Sequence, residues 1–262
     1  MNKLSLIAAA GLVAVAVSSA NAAYNFTGSI ITENFDTLPI TNVLNAFSAT
    51  IGAQAVVTGS GFDGTKISGT GTTATPLTAD AGTGISGAVY SYGAATVAER
   101  AVGSIASGSN VMGFGFQLTN GASDAIDSVT VSFTQENWRT SSTTLNIVLA
   151  SYSTSSTSST YLSDTVGFTL ASALDLVGPA FSATQPLDGN LVANQAARTL
   201  TVTGLNIPPG SSIFFRWQDA NEAGNDAGLA IDDLSISATL IPEPTTLGLI
   251  AAGSVLALRR RK

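Results

Sequence analysis

Cysteine and histidine are both absent from this chain of 262 residues. Without cysteine there is no disulfide, so the stability of the folded chain depends on packing and on any bound ion. Without histidine there is no Ser-His or Cys-His dyad, and zinc, copper and iron lose their commonest ligand. The composition therefore excludes most hydrolase mechanisms and leaves oxygen atoms as the metal ligands.

Charged and aromatic side chains are scarce, at 10% and 7% of the sequence, and the formal net charge is −7. An acidic surface repels phosphate backbones and anionic lipid headgroups, so we expect no nucleic-acid partner. Ser, Thr, Gly, Ala and Asn dominate the chain instead. That composition is typical of an exported protein whose surface carries hydroxyl and amide groups.

The N-terminus has the three parts of an export signal. Lys3 provides a positive start, residues 4–17 are mostly apolar, and Ala20 and Ala22 form a small-x-small cleavage site. We predict a signal helix in residues 1–22 that signal peptidase removes after Ala22. The rest of the chain is then exported.

The C-terminus combines a short apolar run with a basic end. The run covers residues 247–258, and as a helix it reaches only about 18 Å at about 1.5 Å per residue, short of the roughly 30 Å hydrocarbon core. Cations that follow such a run stay on the cytoplasmic side. We predict a short hydrophobic helix that anchors the protein in the membrane at least transiently. The alternative is a terminal core or amphipathic helix with a basic end.

The order of these C-terminal parts resembles a known sorting signal. Its residues are Pro242, Glu243 and Pro244 before the apolar run, and Arg259, Arg260, Arg261 and Lys262 after it. This arrangement resembles the PEP-CTERM signal of exported proteins from Gram-negative bacteria that secrete polysaccharide. The resemblance covers residues 241–262 and implies processing by an exosortase-type enzyme and transfer to the cell surface or extracellular matrix. It implies nothing about activity.

The body of the chain, residues 23–240, has the pattern of antiparallel strands. Apolar and polar residues alternate in short segments between Gly, Asn, Asp and Ser. The predicted strands are 29–35, 53–58, 85–92, 111–118, 126–134, 144–150, 199–205, 211–217 and 229–238. Residues 59–87 and 151–160 are predicted as loops, and 96–105 as one or two helical turns at most. We predict an all-β domain, a two-sheet antiparallel sandwich of jelly-roll type.

Acidic residues cluster near the last predicted strand and in the first. Their carboxylates are the hard oxygen ligands that Ca²⁺ prefers. The predicted calcium ligands are Glu33, Asp36, Asp219, Asp226, Asp232 and Asp233. An Ile-Asp-Asp run after a Gly/Asp/Asn loop also resembles the closing strand of many secreted jelly-roll domains, in which the first and last strands are commonly neighbours.

Alternation within the last strand places one of Asp232 and Asp233 inward, beside Leu234 and Ile236. A buried carboxylate must be compensated. A structural Ca²⁺ is one solution, and an ion pair with Arg216 or hydrogen bonds from backbone donors are the alternatives.

Trp138 is the candidate platform for a sugar ring, because polar residues surround it, whereas Trp217 is expected in the core. Together with the sorting signal, these features predict a structural or adhesive protein of the cell surface or extracellular matrix, associated with exopolysaccharide. A carbohydrate-binding module is the alternative. A glycan hydrolase that uses Glu136 and Asp219 as its carboxylate pair is less favoured, since the chain has no recognisable catalytic motif. We predict no enzyme activity.

Overall fold

Sixteen β-strands form the regular structure of residues 22–142, 145–179 and 183–242, the part of the chain that this computed structural model describes. In chain order they are β1 (Ala23–Phe26), β2 (Ile31–Glu33), β3 (Val43–Phe47), β4 (Gln54–Val56), β5 (Asp63–Ser68), β6 (Thr75–Asp80), β7 (Ala88–Tyr92), β8 (Ala101–Ile105), β9 (Val111–Asn120), β10 (Ile126–Arg139), β11 (Ile147–Ser153), β12 (Thr169–Leu170), β13 (Leu176–Val177), β14 (Gln195–Val202), β15 (Ser212–Asp219) and β16 (Gly228–Leu240). Two single 3₁₀ turns, Ser172–Leu174 and Val192–Asn194, are the helical elements of the described part. Among the same residues, no helix has the length and apolar character needed to cross a membrane.

The strands form two eight-stranded sheets. The first sheet has the order β12-β11-β15-β9-β5-β4, with β1 beside β9 and β13 beside β11. The second has the order β14-β10-β16-β8-β7-β6-β3, with β2 beside β16. Only β1 with β9 and β6 with β7 pair in parallel among the described strands. The prediction of an all-β two-sheet sandwich is confirmed, and the first and last predicted strands are neighbours, as β2 and β16.

Aromatic rings fill the space between the sheets. Phe62 is fully buried and stacks on Trp217 with ring centroids 6.0 Å apart, while Phe35 meets it edge-on at 5.3 Å. The indole of Trp217 donates a hydrogen bond to the Leu174 carbonyl at 2.9 Å, so its polar atom is satisfied inside the core. Each ring buried in this way contributes on the order of 2–3 kcal/mol to folding. Trp217 is a core residue, as expected.

Three strands fall in segments that the sequence predicts as loop or as helical turn. Residues 59–87 contain β5 and β6, and the end of 96–105 forms β8. Strand β8 is buried along its whole length, so its sequence shows no apolar and polar alternation. Its Gly103 is required by close packing, because a Cβ there would lie 2.1 Å from the Leu229 carbonyl oxygen. A strand that is buried on both faces and closely packed in this way lacks the apolar and polar alternation by which strands are predicted from sequence.

The long pair β10–β16 has three register shifts, and the middle one is a bulge at Asp233. Ser132 lies opposite Ser235, but Thr134 lies opposite Asp232, so one residue of β10 faces two of β16. Asp233 takes the extra position with a φ of +49°. The bulge therefore shifts the alternation of side chains along β16.

This shift decides where the two aspartates point. Leu229 and Ile231 before the bulge, and Leu234 and Ile236 after it, all lie in the core between the sheets. Asp232 consequently points to the other side of the second sheet. The prediction that one of the two aspartates lies beside Leu234 and Ile236 is therefore wrong, because simple alternation does not continue through a bulge.

Candidate functional site

The outer face of the second sheet, the face away from the core, divides into two halves. The first half carries Ser and Thr side chains in rows that cross the strands, and we call it the hydroxyl face. One row is Thr199, Ser132, Ser235 and Thr32, and the next is Thr201, Thr130 and Ser237, with Ser128 and Thr239 beyond it. The rows contain no charged side chain.

Neighbouring hydroxyls on this face contact one another. The Oγ1 atoms of Thr130 and Thr201 are 2.8 Å apart, and Ser128 Oγ is 2.7 Å from Thr239 Oγ1. Such cross-strand pairs stabilise a sheet. Each hydroxyl has one proton and two lone pairs, so a pair of them retains capacity for a further partner. The hydroxyl face is thus uncharged and able to donate or accept hydrogen bonds.

The second half of the outer face is covered by loops. Three aromatic rings stack there: Tyr90 on Tyr92 at 4.9 Å, and Tyr92 on Trp138 at 5.7 Å. Trp138 is only 2% exposed, and a Cβ on Gly189 would lie 2.4 Å from its ring. The loop that contains Gly189 therefore covers the indole. The prediction that Trp138 is an exposed sugar platform is wrong.

Three carboxylates converge beside this stack, and we call them the carboxylate triad: Glu99, Glu136 and Asp232. One oxygen from each lies within 4.8 Å of the others. Glu136 is held by two donors, the Trp138 indole at 2.9 Å and the Gln195 amide at 3.1 Å. Asp232 Oδ1 and both oxygens of Glu99 are buried and have no hydrogen-bond partner among the residues that the structure describes.

Burial is the largest influence on the triad's protonation. It raises the pKa of Glu136 to about 7 and that of Asp232 to about 8. The negative charges of neighbouring acids raise both pKa values further. Burial also raises the pKa of Glu99, while the nearby Asn190 amide lowers it. Arg100 follows Glu99 in sequence, but its guanidinium donates to Ser91 and to the Ala94 carbonyl instead.

The six predicted calcium ligands do not meet at one place. Glu33 and Asp233 line an open cleft of about 520 Å³ beside the hydroxyl face, where Asp233 is exposed. Glu33 accepts hydrogen bonds from the Tyr24 hydroxyl and the Phe35 amide. Asp36 is exposed and accepts from the Asn34 amide at 2.6 Å. Of the predicted ligands, only Asp232 belongs to the carboxylate triad.

Asp219 and Asp226 lie elsewhere. Asp219 Oδ2 accepts a hydrogen bond from Ser104 at 2.7 Å, and its complete burial raises its pKa well above the usual value. Burial raises the pKa of Asp226 to about 7, and the neighbouring Glu222 raises it further. The amide of Asn146 donates to Glu222 at 2.8 Å and to Asp226 at 3.4 Å. The carboxylates of Glu222 and Asp226 therefore both accept hydrogen bonds from one amide side chain.

The alternative pairings proposed from the sequence are also absent. Arg216 donates to Ser151 Oγ and to the carbonyls of Tyr161 and Asp164, so it forms no ion pair with Asp232. Its guanidinium lies 3.5 Å from the centre of the Phe168 ring. Arg216 therefore compensates no carboxylate of the triad.

The two carboxylates of the hydrolase alternative do not form a pair either. Glu136 faces the outer side of the second sheet, whereas Asp219 contacts Ser104 on the core side of that sheet. The sheet separates the two carboxylates, so they cannot act on one glycosidic bond.

The structure describes only a part of the predicted processing sites at the two ends of the domain. The backbone amide of Ala22 donates to the buried carboxylate of Asp63 at 3.0 Å. Ala20 and the sorting residues from Glu243 to Lys262 lie outside the described residues, whereas Pro242 is described and exposed. Signal cleavage and sorting stay predictions.

Two members of the site were missed from the sequence. Glu99 lies just before β8, in a segment with no strand pattern, and Gln195 opens β14, far from Glu136 in sequence. A run of Glu-Arg before a Gly-containing strand carries no specific signal. Only the tertiary structure brings Glu99 to the acids of β10 and β16.

No family model matches the sequence, and no curated protein matches it. The K2 cleaved adhesin domain of Lys-gingipain is 11% identical, with a TM-score of 0.39, over 80% of this chain and 98% of that domain. The K1 domain of Lys-gingipain from Porphyromonas gingivalis W83 is 12% identical, with a TM-score of 0.37, over 81% and 99%. The CBM22-1 xylan-binding domain of Paenibacillus barcinonensis Xyn10C is 8% identical, with a TM-score of 0.30, over 61% and 85%. At these TM-scores the likeness carries no argument about function.

The buried carboxylates make the stability of the metal-free protein depend on pH. Their raised pKa values mean that the folded state holds more protons than the unfolded state between about pH 4 and pH 8, so stability falls as pH rises through that range. We expect the free energy of unfolding in chelator to be lower at pH 8 than at pH 5 by on the order of 3 kcal/mol. The groups responsible are Asp63, Glu99, Glu136, Asp219, Glu222, Asp226 and Asp232.

Urea unfolding of the full chain at both pH values in chelator measures this difference. An Asp232→Asn variant provides the comparison, since it removes one titrating group and should show a smaller fall. Stability that stays level or increases toward pH 8 would contradict the expected burial of these carboxylates.

Proposed function

We propose that this protein is a non-catalytic, exported module that attaches to neutral polysaccharide at the cell surface or in the extracellular matrix. The hydroxyl face is the observation that supports the proposal. Its two rows cross β14, β10 and β16, and one row continues onto β2. The surface they form is wide enough for a chain of sugars, and the open cleft that Thr32 and Ser235 share with Glu33 and Asp233 lies at its edge.

The spacing of the hydroxyl face suits repeated weak contacts. Neighbouring strands lie about 4.8 Å apart, and residues two apart on one strand are separated by about 6.8 Å. Ser, Thr and sugar hydroxyls all donate and accept, so many registers of an extended polymer satisfy both partners. Each contact is worth only about 0.5–1.5 kcal/mol net. Attachment by many such contacts fits a structural or adhesive role better than recognition of one glycan.

The two chain ends complete the proposed function. An export signal in residues 1–22 and a PEP-CTERM-like signal in residues 241–262 would deliver the domain through signal peptidase and an exosortase-type enzyme. The short apolar C-terminal helix would anchor the protein in the membrane until processing. We retain jelly-roll connectivity for the sandwich as part of this proposal.

Loss of the hydroxyls should weaken attachment to polysaccharide. We expect a Thr130→Val, Thr199→Val, Thr201→Val variant to bind an insoluble neutral polysaccharide at least about tenfold more weakly than the unaltered protein, because three hydrogen-bonding groups are lost. Valine keeps the β-branched shape, so the sheet should remain folded. Depletion of the full chain from solution by increasing amounts of polysaccharide measures the affinity.

Thr169→Val is the matched control, since Thr169 is an exposed strand residue of the first sheet. It should leave binding unchanged. Equal binding by the triple variant and the control would refute the hydroxyl face as the contact surface, and no binding of the unaltered protein to any neutral polysaccharide would refute the proposed function.

The sorting signal can be tested separately in the producing cell. Replacement of Pro242, Glu243 and Pro244 by alanine should leave the C-terminal segment uncleaved and reduce the mature surface form by at least about tenfold, since the extended Pro-containing peptide is the proposed recognition element. Intact mass spectrometry of cell-surface and membrane fractions measures both forms. A Thr245→Ala, Thr246→Ala variant is the control, and undiminished mature protein from the triple variant would show that the tripeptide is not a processing signal.

A further inference from the structure

We propose that the carboxylate triad of Glu99, Glu136 and Asp232 binds one Ca²⁺ ion, which joins β10 and β16 to the segment before β8. This site is distinct from the hydroxyl face and from the cleft at Asp233. It also differs from the ligand set expected from the sequence, with which it shares only Asp232.

The spacing of the three carboxylates fits a calcium ion. Ca²⁺ lies about 2.3–2.6 Å from its oxygen ligands, so two ligands of the same ion can be at most about 5 Å apart. The triad's oxygens lie within 4.8 Å of one another. One ion can therefore contact all three side chains with no large movement of the strands.

A second observation points to a ligand between these side chains. Asp232 is only 7% exposed, and its Oδ1 atom has no hydrogen-bond partner among the described residues. Both oxygens of Glu99 are buried and accept no hydrogen bond of normal geometry in the same part of the chain, although the Asn190 amide lies near enough to lower the pKa of Glu99. A native protein rarely leaves buried acceptors unsatisfied, because each one has lost its water without a replacement.

No basic side chain among the described residues donates a hydrogen bond to the triad, although the charge of Arg100 lies near enough to Glu99 to lower its pKa. The nearest basic residue in sequence, Arg100, uses its guanidinium on Ser91 and on backbone carbonyls. Glu136 is oriented by two neutral donors, Trp138 and Gln195, which leave its charge uncompensated. Donors of this kind commonly hold metal-binding carboxylates in place.

The donor atoms select the class of ion. Three carboxylates and no imidazole or thiolate favour a hard cation over zinc, copper or iron. Mg²⁺ requires near-ideal octahedral geometry and retains several waters, whereas Ca²⁺ accepts about six to eight ligands in irregular arrangements. A site whose three carboxylates come from separate segments of the chain, and which is largely buried, fits Ca²⁺ better.

Thermal unfolding of the full chain, in chelator and then in excess Ca²⁺ or Mg²⁺, tests the site. At a free Ca²⁺ concentration about a hundred times the dissociation constant, we expect the unfolding temperature to rise by roughly 5–10 °C, with a smaller rise in Mg²⁺. Glu99→Gln and Asp232→Asn should each abolish the rise. Both variants also remove a repelling charge, so in chelator they should unfold at or above the temperature of the unaltered protein.

Two control variants locate the effect. Asp127→Asn replaces an acid of β10 distant from the triad, and Asp233→Asn replaces the exposed acid of the neighbouring cleft. Both should retain the full Ca²⁺-dependent rise. A rise that survives Glu99→Gln and Asp232→Asn, or that is lost in Asp233→Asn, would overturn the assignment. No rise in Ca²⁺ would overturn it as well.

Terbium luminescence is an independent measurement that does not depend on stability. Tb³⁺ takes the place of Ca²⁺, and the Trp138 indole, hydrogen-bonded to Glu136, lies close enough to transfer excitation to it. We expect indole-sensitised emission that Ca²⁺ displaces, and at least a tenfold loss of that emission in Asp232→Asn. Emission of equal strength in this variant, or no emission from the unaltered protein, would contradict the site.

Discussion

The pairing of β10 with β16 is the constraint on which the rest of the structure depends. These are the two longest strands. Because of the bulge at Asp233, each β16 residue before it points to the side of the sheet opposite to the one that simple alternation predicts. The bulge keeps Ile231 and Leu234 together in the core. It also turns Asp232 to the outer face, where a carboxylate can meet Glu136. One extra residue thus determines both the core and the acidic site.

The two halves of the second sheet's outer face differ because one is covered and the other is open. Where loops cover the sheet, aromatic rings stack, and the carboxylate triad has Glu136 and Asp232 buried and Glu99 half-buried. Where the sheet is open, the side chains are Ser and Thr with no charge. A chain without disulfides must hold its covering loops by other means, and a cation bound at the triad would join three segments at the border between the halves. The proposed Ca²⁺ site would therefore support the sheet that carries the hydroxyl face, without taking part in contact with the polymer.

The sequence patterns predicted the sandwich well and the site poorly, for physical reasons. Alternation located β10, β15 and β16, because each has one apolar face toward the core. It failed for β8, where both faces are buried and Gly103 allows close approach. The acids of β16 were recognised, but a bulge cannot be detected from alternation, and no local pattern connects Glu99 to them. The polar neighbours of Trp138 predict an exposed platform, but those neighbours are themselves buried, and Glu136 accepts the hydrogen bond of the indole.

The location of a bound ion tests the central claim most directly. A crystal structure of the protein grown with Tb³⁺ or Ca²⁺, with anomalous scattering used to locate the ion, would show its position without reference to stability or spectroscopy. We predict one ion about 2.3–2.6 Å from a carboxylate oxygen of each of Glu99, Glu136 and Asp232. An ion bound instead in the cleft at Glu33 and Asp233, or a triad that stays empty at saturating metal with its carboxylates bonded to one another, would contradict that claim.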